Sequence, residues 1–269
     1  MRSSSLGLLG VIGIASLSAC SVSSTANSLT IKTQKEFVDS NTVTLTSATA
    51  WAGEPIKIEN DSVDFVNGTG GVQVQVDPSA TKITATATFT ARADDDAHES
   101  EAQQSIVDAK QTFAVDGFSF VCHHGQTHGT SGAGSSGCKL IVLTVPPGTA
   151  AQALDLTVGD GNGGISFSDK VLAKNLLVQE NGTGDLDVKV DPQKGSTISI
   201  TGGFDVTVGV PSTFAADSVT LTGPNDPMDI DTSAFQGLAS GKGYGTAGTG
   251  ASSFSVTTGG IGTIKFVQL

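Results

Sequence analysis

Residues 66–78 read VNGTGGVQVQVDP, and residues 180–192 read ENGTGDLDVKVDP. The two stretches share Asn-Gly-Thr-Gly at 67–70 and 181–184 and Val-Asp-Pro at 76–78 and 190–192, 114 residues apart. Between the matched ends, Val72, Val74 and Val76 alternate with Gln73 and Gln75, as Leu186, Val188 and Val190 alternate with Asp187 and Lys189. Successive side chains of a strand point to opposite faces, so each copy is a strand with one buried and one solvated face. Gly supplies positive φ for the turn before the strand, and Pro, which has no N–H, stops the ladder after it. Downstream, KITATATF (82–89) follows TISITGGF (197–204) after a one-residue shift, so each copy reads turn, strand, turn, strand. Asn-Gly-Thr also fits a glycosylation sequon, but turn chemistry accounts for it.

The same alternation recurs outward in both directions. LTIKT (29–33), TVTLTSA (42–48), IKIEN (56–60), FAVDGFSFV (113–121), KLIVLTV (139–145), LDLTV (154–158) and GISFS (164–168) read as strands. So do STISI (196–200), FDVTVGV (204–210), SVTLT (218–222), SFSVT (253–257) and TIKFV (263–267). Gly, Asn, Asp or Pro punctuates most of them. One helix is expected over AHESEAQQSIVDAKQ (97–111), with Ala102, Ile106 and Ala109 on one face and Asp94, Asp95 and Asp96 ahead of it as caps. The fold class is therefore all-β with one short inserted helix near 97–111. A short strand pair buries too little area alone, so neighbours must stack, as in a β-solenoid. A spacing of 114 residues is long for one solenoid coil, and two β-sandwich-like halves, 29–121 and 139–269, form the alternative.

The chain begins MRSSSLGLLGVIGIASLSAC. Arg2 supplies a positive start, and Leu6 to Leu17 is an apolar run too short to span a bilayer. Leu17-Ser18-Ala19-Cys20 then resembles the bacterial lipobox, in which the Cys sulfur takes a diacylglyceryl group. This implies a signal peptide over 1–19, lipidation at Cys20, a tether over 20–28 and a β domain over 29–269. Such a protein is held by acyl chains and does not span the membrane. Ser21, in place of the Asp that retains lipoproteins at the inner membrane, points to the outer membrane of a bacterial envelope. The formal net charge is −12, and removal of Arg2 with the leader takes it to −13. Such a surface opposes nucleic acid and anionic headgroups.

With Cys20 lipidated, Cys122 and Cys138 remain as the one pair. They bound HHGQTHGTSGAGSSG and sit at strand edges, outside the reducing cytoplasm, so a disulfide is expected. A metal site would draw on these cysteines with His123, His124 and His128. A disulfide removes both thiolates, and Gly125 and Gly129 spoil the helix that would align His124 with His128. No cofactor is expected. A Ser–His–Asp site finds no Gly-x-Ser-x-Gly elbow, and Ser131 lies in a Gly/Ser tract. Gly243, Gly245 and Gly248 match a dinucleotide fingerprint without its βαβ setting, and Lys242 is followed by Gly where a phosphate loop needs Ser or Thr. Asp160-Gly161-Asn162-Gly163-Gly164 and Asp226/Asp229/Asp231 are oxygen-rich, but neither follows a calcium-loop spacing, and Asx turns explain them.

One family resemblance spans roughly residues 55 to 268. A strand, a helical insert containing Ala and Glu, LTVPPGTA (143–150) and LDLTVGDGNGGISFSD (154–169) with its Gly-Asn-Gly turn resemble the putative-adhesin family of bacterial surface β-proteins. The resemblance implies a right-handed β-solenoid with a structural or adhesive, non-catalytic role, and a surface or matrix partner. It transfers no binding residues. The alternative function is a lipoprotein that binds a metal or small ligand at loop 122–138.

Overall fold

The computed structural model describes residues 20–25, 28–33, 35–61, 71–93, 96–126, 128, 136–160, 163–224, 229–246, 248–259 and 262–269. The leader 1–19, the first Asn-Gly-Thr-Gly turn (67–70), Asp94, Asp95, Gly129, Ser131, Gly161, Asn162 and Asp226 lie outside them. Strands β1 (Cys20–Thr25) and β2 (Ser28–Thr33) form a separate antiparallel hairpin where the sequence suggests a tether. The body continues as β3 (Lys35–Thr46), β4 (Ile56–Asp61), β5 (Gly71–Val76), β6 (Thr84–Ala93), the helix α1 (Glu99–Thr112), β7 (Ala114–Asp116), β8 (Ser119–His123) and β9 (Ser136–Val145). It proceeds through β10 (Leu154–Asp160), β11 (Ile165–Phe167), β12 (Val171–Glu180), β13 (Leu186–Gly202), β14 (Val206–Val210) and β15 (Ala216–Thr222). Strands β16 (Ile230–Asp231), β17 (Lys242–Tyr244), β18 (Ser253–Thr257) and β19 (Ile264–Gln268) complete it.

Two parallel sheets stack coil upon coil. The first runs β8–β4–β10–β12–β13–β18–β15, with β13 contributing its second half. The second runs β9–β5–β11–β13–β14–β19–β16, with β13 contributing its first half. Each coil gives one strand to each sheet, and β13 bends from one into the other. The architecture is the stacked, solenoid-like one, and the two-halves arrangement does not occur. β8 and β9, which that arrangement would separate, share a coil.

Register columns explain the core. Phe120, Ile58, Val158, Val178, Ile200, Val256 and Leu221 lie side by side across the first sheet. Ile141, Val72, Ile165, Leu186, Val206, Ile264 and Ile230 do so across the second. All but Ile230 are buried, so the period-two apolar positions fill the space between the sheets. Leu156, Leu176 and Ile198 share a column, so one coil takes 20 residues and the next 22.

The repeat has a different meaning from halves. Val72 and Leu186 both pair with Ile165, so the two copies are the neighbours of β11. Their downstream segments part company. β6 pairs antiparallel with β3 and β9, whereas residues 197–202 form a parallel coil strand. Pro78 falls in a turn past the end of β5, as expected, but β13 runs through Pro192. FAVDGFSFV is a hairpin, β7 and β8, turning at Gly117 with φ +58°. Helix α1 buries Ala102, Ser105, Ile106 and Ala109 against β6 and β9. Of the acidic residues expected as caps, Asp94 and Asp95 lie outside the described residues. The N-cap position is His98, whose side chain makes no capping hydrogen bond, and Asp96 pairs with Lys35.

Candidate functional site

Cys122 is the next-to-last residue of β8 in the first sheet, and Cys138 lies near the start of β9 in the second. Their sulfurs are bonded, with Cα atoms 6.3 Å apart and both residues fully buried. The two strands are not antiparallel neighbours, as strand-edge reasoning suggests. They are consecutive arms of one coil, and the bond clamps the sheets together at its corner. Beside it, Asn60 donates through Nδ2 to the carbonyls of Cys138 (3.1 Å) and Gly71 (3.2 Å), making a second tie between the sheets.

The three histidines diverge from this corner. His123 is exposed, its Nδ1 3.2 Å from Asp61 Oδ2. His124 is exposed above an open depression lined by Asp108, Gln111 and Thr112. The His128 ring meets the Asp108 carboxylate on α1, and its backbone N–H donates to Ser105 Oγ at 3.3 Å. The His128 contact holds the Asp108 carboxyl below its ordinary value. Gly125 is required where the loop crosses the helix, because a Cβ there would lie 2.7 Å from Ala109 N and Ser105 O. Among the described residues no three His, Cys, Asp or Glu side chains gather as metal ligands.

The other candidates resolve into turn and core chemistry. Asp231 accepts from Ser233 N at 3.0 Å, an Asx turn that lowers its pKa. Asp160 is buried, in a column running Cys122, Asn60, Asp160, Glu180 and Gly202. Glu180 Oε1 accepts from Gly182 N at 2.9 Å and Gly184 N at 3.3 Å, so the second Asn-Gly-Thr-Gly turn is closed by a carboxylate. Burial pushes the Glu180 carboxyl up. Gly243 and Lys242 lie in β17, which pairs antiparallel with β15, so the dinucleotide fingerprint is strand and turn.

Two features escaped the sequence reading. The first is the outer face of the first sheet. Thr197, Ser199 and Thr201 pair in register with Ser253, Ser255 and Thr257, and Thr220 and Thr222 continue the rows from β15. Eight hydroxyls thus lie in three adjacent strands, spaced about 4.8 Å across strands and about 6.7 Å along them, with no charge among them. The signal was a Ser/Thr residue at every second position of three strands. The second is an aromatic cluster closing the far end of the stack. Phe214 meets Phe254 at 5.0 Å, Tyr244 at 5.7 Å and Phe235 at 6.2 Å between centroids. These rings are distant in sequence, and no local pattern joins them.

No family model and no curated protein matches this chain. Among solved structures, a "putative cell adhesion protein" from Clostridium sporogenes ATCC 15579 is similar at 14% identity and a TM-score of 0.43, over 85% of this chain and 100% of that one. Among the described residues no helix is long and apolar enough to cross a membrane.

Proposed function

We propose that this chain is a lipid-anchored protein of the bacterial envelope, held at the outer membrane through Cys20, with a structural or adhesive, non-catalytic role. The observation that carries the reading is the broad outer face of the first sheet. Its eight uncharged hydroxyls stand on three strands joined by parallel ladders, with β12 continuing the sheet on one side and β17 pairing antiparallel on the other. A rigid, flat face contacts an extended partner without the ordering cost a flexible surface bears. In a chain of formal net charge −12, a neutral patch is where another surface approaches with least repulsion. The Cys–His loop serves this role as a fastener, joining two sheets and a helix at one end of the stack.

The test uses the full chain expressed in a Gram-negative host. Labelled palmitate is expected in the protein, with fractionation to the outer membrane, and Cys20→Ala is expected to lose both. Cells carrying the chain should adhere to extracellular matrix or to one another above the level of cells carrying Cys20→Ala. An unlabelled protein that is released freely refutes the anchor. Equal adhesion of the two strains refutes the adhesive role.

A further inference from the structure

The terminal coil carries a cleft of about 530 Å³ between the turn 211–214, Gln236, and residues 244–246 with Thr249. Its polar wall is Ser212, Thr213, Gln236, Thr246 and Thr249, and its aromatic wall is Tyr244. We propose that this cleft binds a neutral saccharide unit, a proposal that rests on the adhesive reading for its biological use but not for its chemistry.

The cleft is built rather than left over. The Tyr244 ring stacks on buried Phe214 at an interplanar angle of 23°, and Phe235 meets it edge-on at 6.1 Å. Tyr244 therefore offers a fixed apolar wall. Gly245 has φ +71°, and a Cβ there would lie 2.7 Å from Ala215 Cβ, so only Gly lets the loop close on the turn. Asp217 Oδ1 accepts from Gly248 N at 2.9 Å, and Thr249 Oγ1 donates to Thr246 O, fixing the far side. Ser212, Thr213 and Gln236 are exposed and line the cleft, with side chains engaged by no other protein group among the described residues, so their donors and acceptors are available to a ligand.

The chemistry selects the ligand class. No lining side chain is charged, so an anionic ligand finds no cation and a cationic one finds no carboxylate. A purely apolar ligand would strand the hydroxyls and the amide. Hydroxyls and a primary amide both donate and accept. A pyranose presents the matching surface: a C–H face for the ring of Tyr244 and a rim of hydroxyls that donate and accept in turn. The size suits one or two sugar rings.

The test is ligand-observed NMR and calorimetry on the full chain in a zwitterionic detergent that has no sugar headgroup. The probes are the methyl glycosides of glucose, galactose, mannose and N-acetylglucosamine, with glucuronic acid as the charged control. At least one neutral glycoside should bind saturably at about millimolar strength, and glucuronic acid should not. Gln236→Ala, an exposed side chain without a structural partner, should weaken that binding roughly tenfold. Tyr244→Ala should do at least as much, and Tyr244→Phe should restore it. Absence of saturable binding by every neutral glycoside, equal binding of glucuronic acid, or an unchanged affinity in Gln236→Ala overturns the proposal. Adhesion that persists in Gln236→Ala cells while no glycoside binds sinks the cleft alone. Glycoside binding without cell adhesion sinks the adhesive role and leaves the cleft.

Discussion

Replacing Cys122 and Cys138 together by Ala tests whether the corner bond stabilises the stack. The bond joins residues separated by 16 positions in the sequence. In the chain-entropy account, a loop of this length restricts the unfolded chain by about 3 kcal/mol. For a domain of this size each kcal/mol moves the midpoint by roughly 2–4 °C, so the pair of substitutions should lower Tm by roughly 6–12 °C. Both sulfurs are fully buried, so lost packing adds to the fall. Asn60 on β4, which bonds the carbonyls of Cys138 and Gly71, and the bond from Gly125 N to Ser136 O remain to hold this corner without the sulfurs. The assay is thermal unfolding followed by circular dichroism, preceded by intact mass with alkylation before and after reduction. Wild-type thiols should resist alkylation until reduced. A double variant whose Tm stays within about 2 °C of wild type would refute the clamp. Thiols alkylated without reductant would refute the bond itself.

Three further expectations follow from the corner column and the helix contact. Glu180 has a folded-state pKa above its ordinary value because it is buried. The folded state then holds more protons between the two values, so wild-type stability declines as pH rises through that window and stays lower above it. Glu180→Gln keeps the acceptor for Gly182 and Gly184 and should abolish this decline, read as urea midpoints across pH 4 to 8. Gly202→Ala places a Cβ against the Glu180 carbonyl oxygen at φ +102°. It should cost at least about 3 kcal/mol in chemical denaturation. Asp108 is the opposite case from Glu180. Its lowered carboxyl adds stability above its unfolded pKa that is lost as pH falls through the folded one. His128→Ala should therefore return the Asp108 titration, followed by carboxyl-carbon NMR, to the ordinary range.

Alternation was legible wherever one face met the core and the other met water. IKIEN, LDLTV and SFSVT are read correctly because Ile56, Ile58, Leu154, Leu156, Phe254 and Val256 fill the interior in turn. VLAKNLLVQE, the strand β12, was missed for a physical reason. Its register shifts between Ala173 and Asn175, which breaks the phase, and Leu177 faces outward. The long strand β13 was read as two because Pro192 interrupts it. The helix face was legible, but the place of Asp96 was not, since it is drawn to Lys35 on a distant strand. The disulfide partners followed from elimination. Their role did not, because it depends on which sheets the two strands join. The cleft was beyond local reading, as its walls come from three loops gathered by the terminal coil.

The coil order explains why the period of about 20 residues hid behind a spacing of 114. Along the first sheet β4 lies inside β8, and β18 lies inside β15, so the chain order is inverted at each end of the stack. An open stack exposes unpaired strand edges and the ends of its apolar columns. The chain covers one end with material placed between the inverted coils: β6 and α1 fall between β5 and β8, and α1 lies on the end of the core. At the other end Phe235, Tyr244 in β17 and the Gly-rich loop fall between β16 and β18, and the two rings complete the aromatic cluster around Phe214. These insertions lengthen the local spacing and erase the repeat, leaving it visible only in the two copies that flank β11. Interior coils are held by register on both sides, so a long loop there would disturb two ladders. A terminal coil has a parallel neighbour on one side only and tolerates insertions, which is why the Cys–His loop and the neutral cleft lie at opposite ends of the stack.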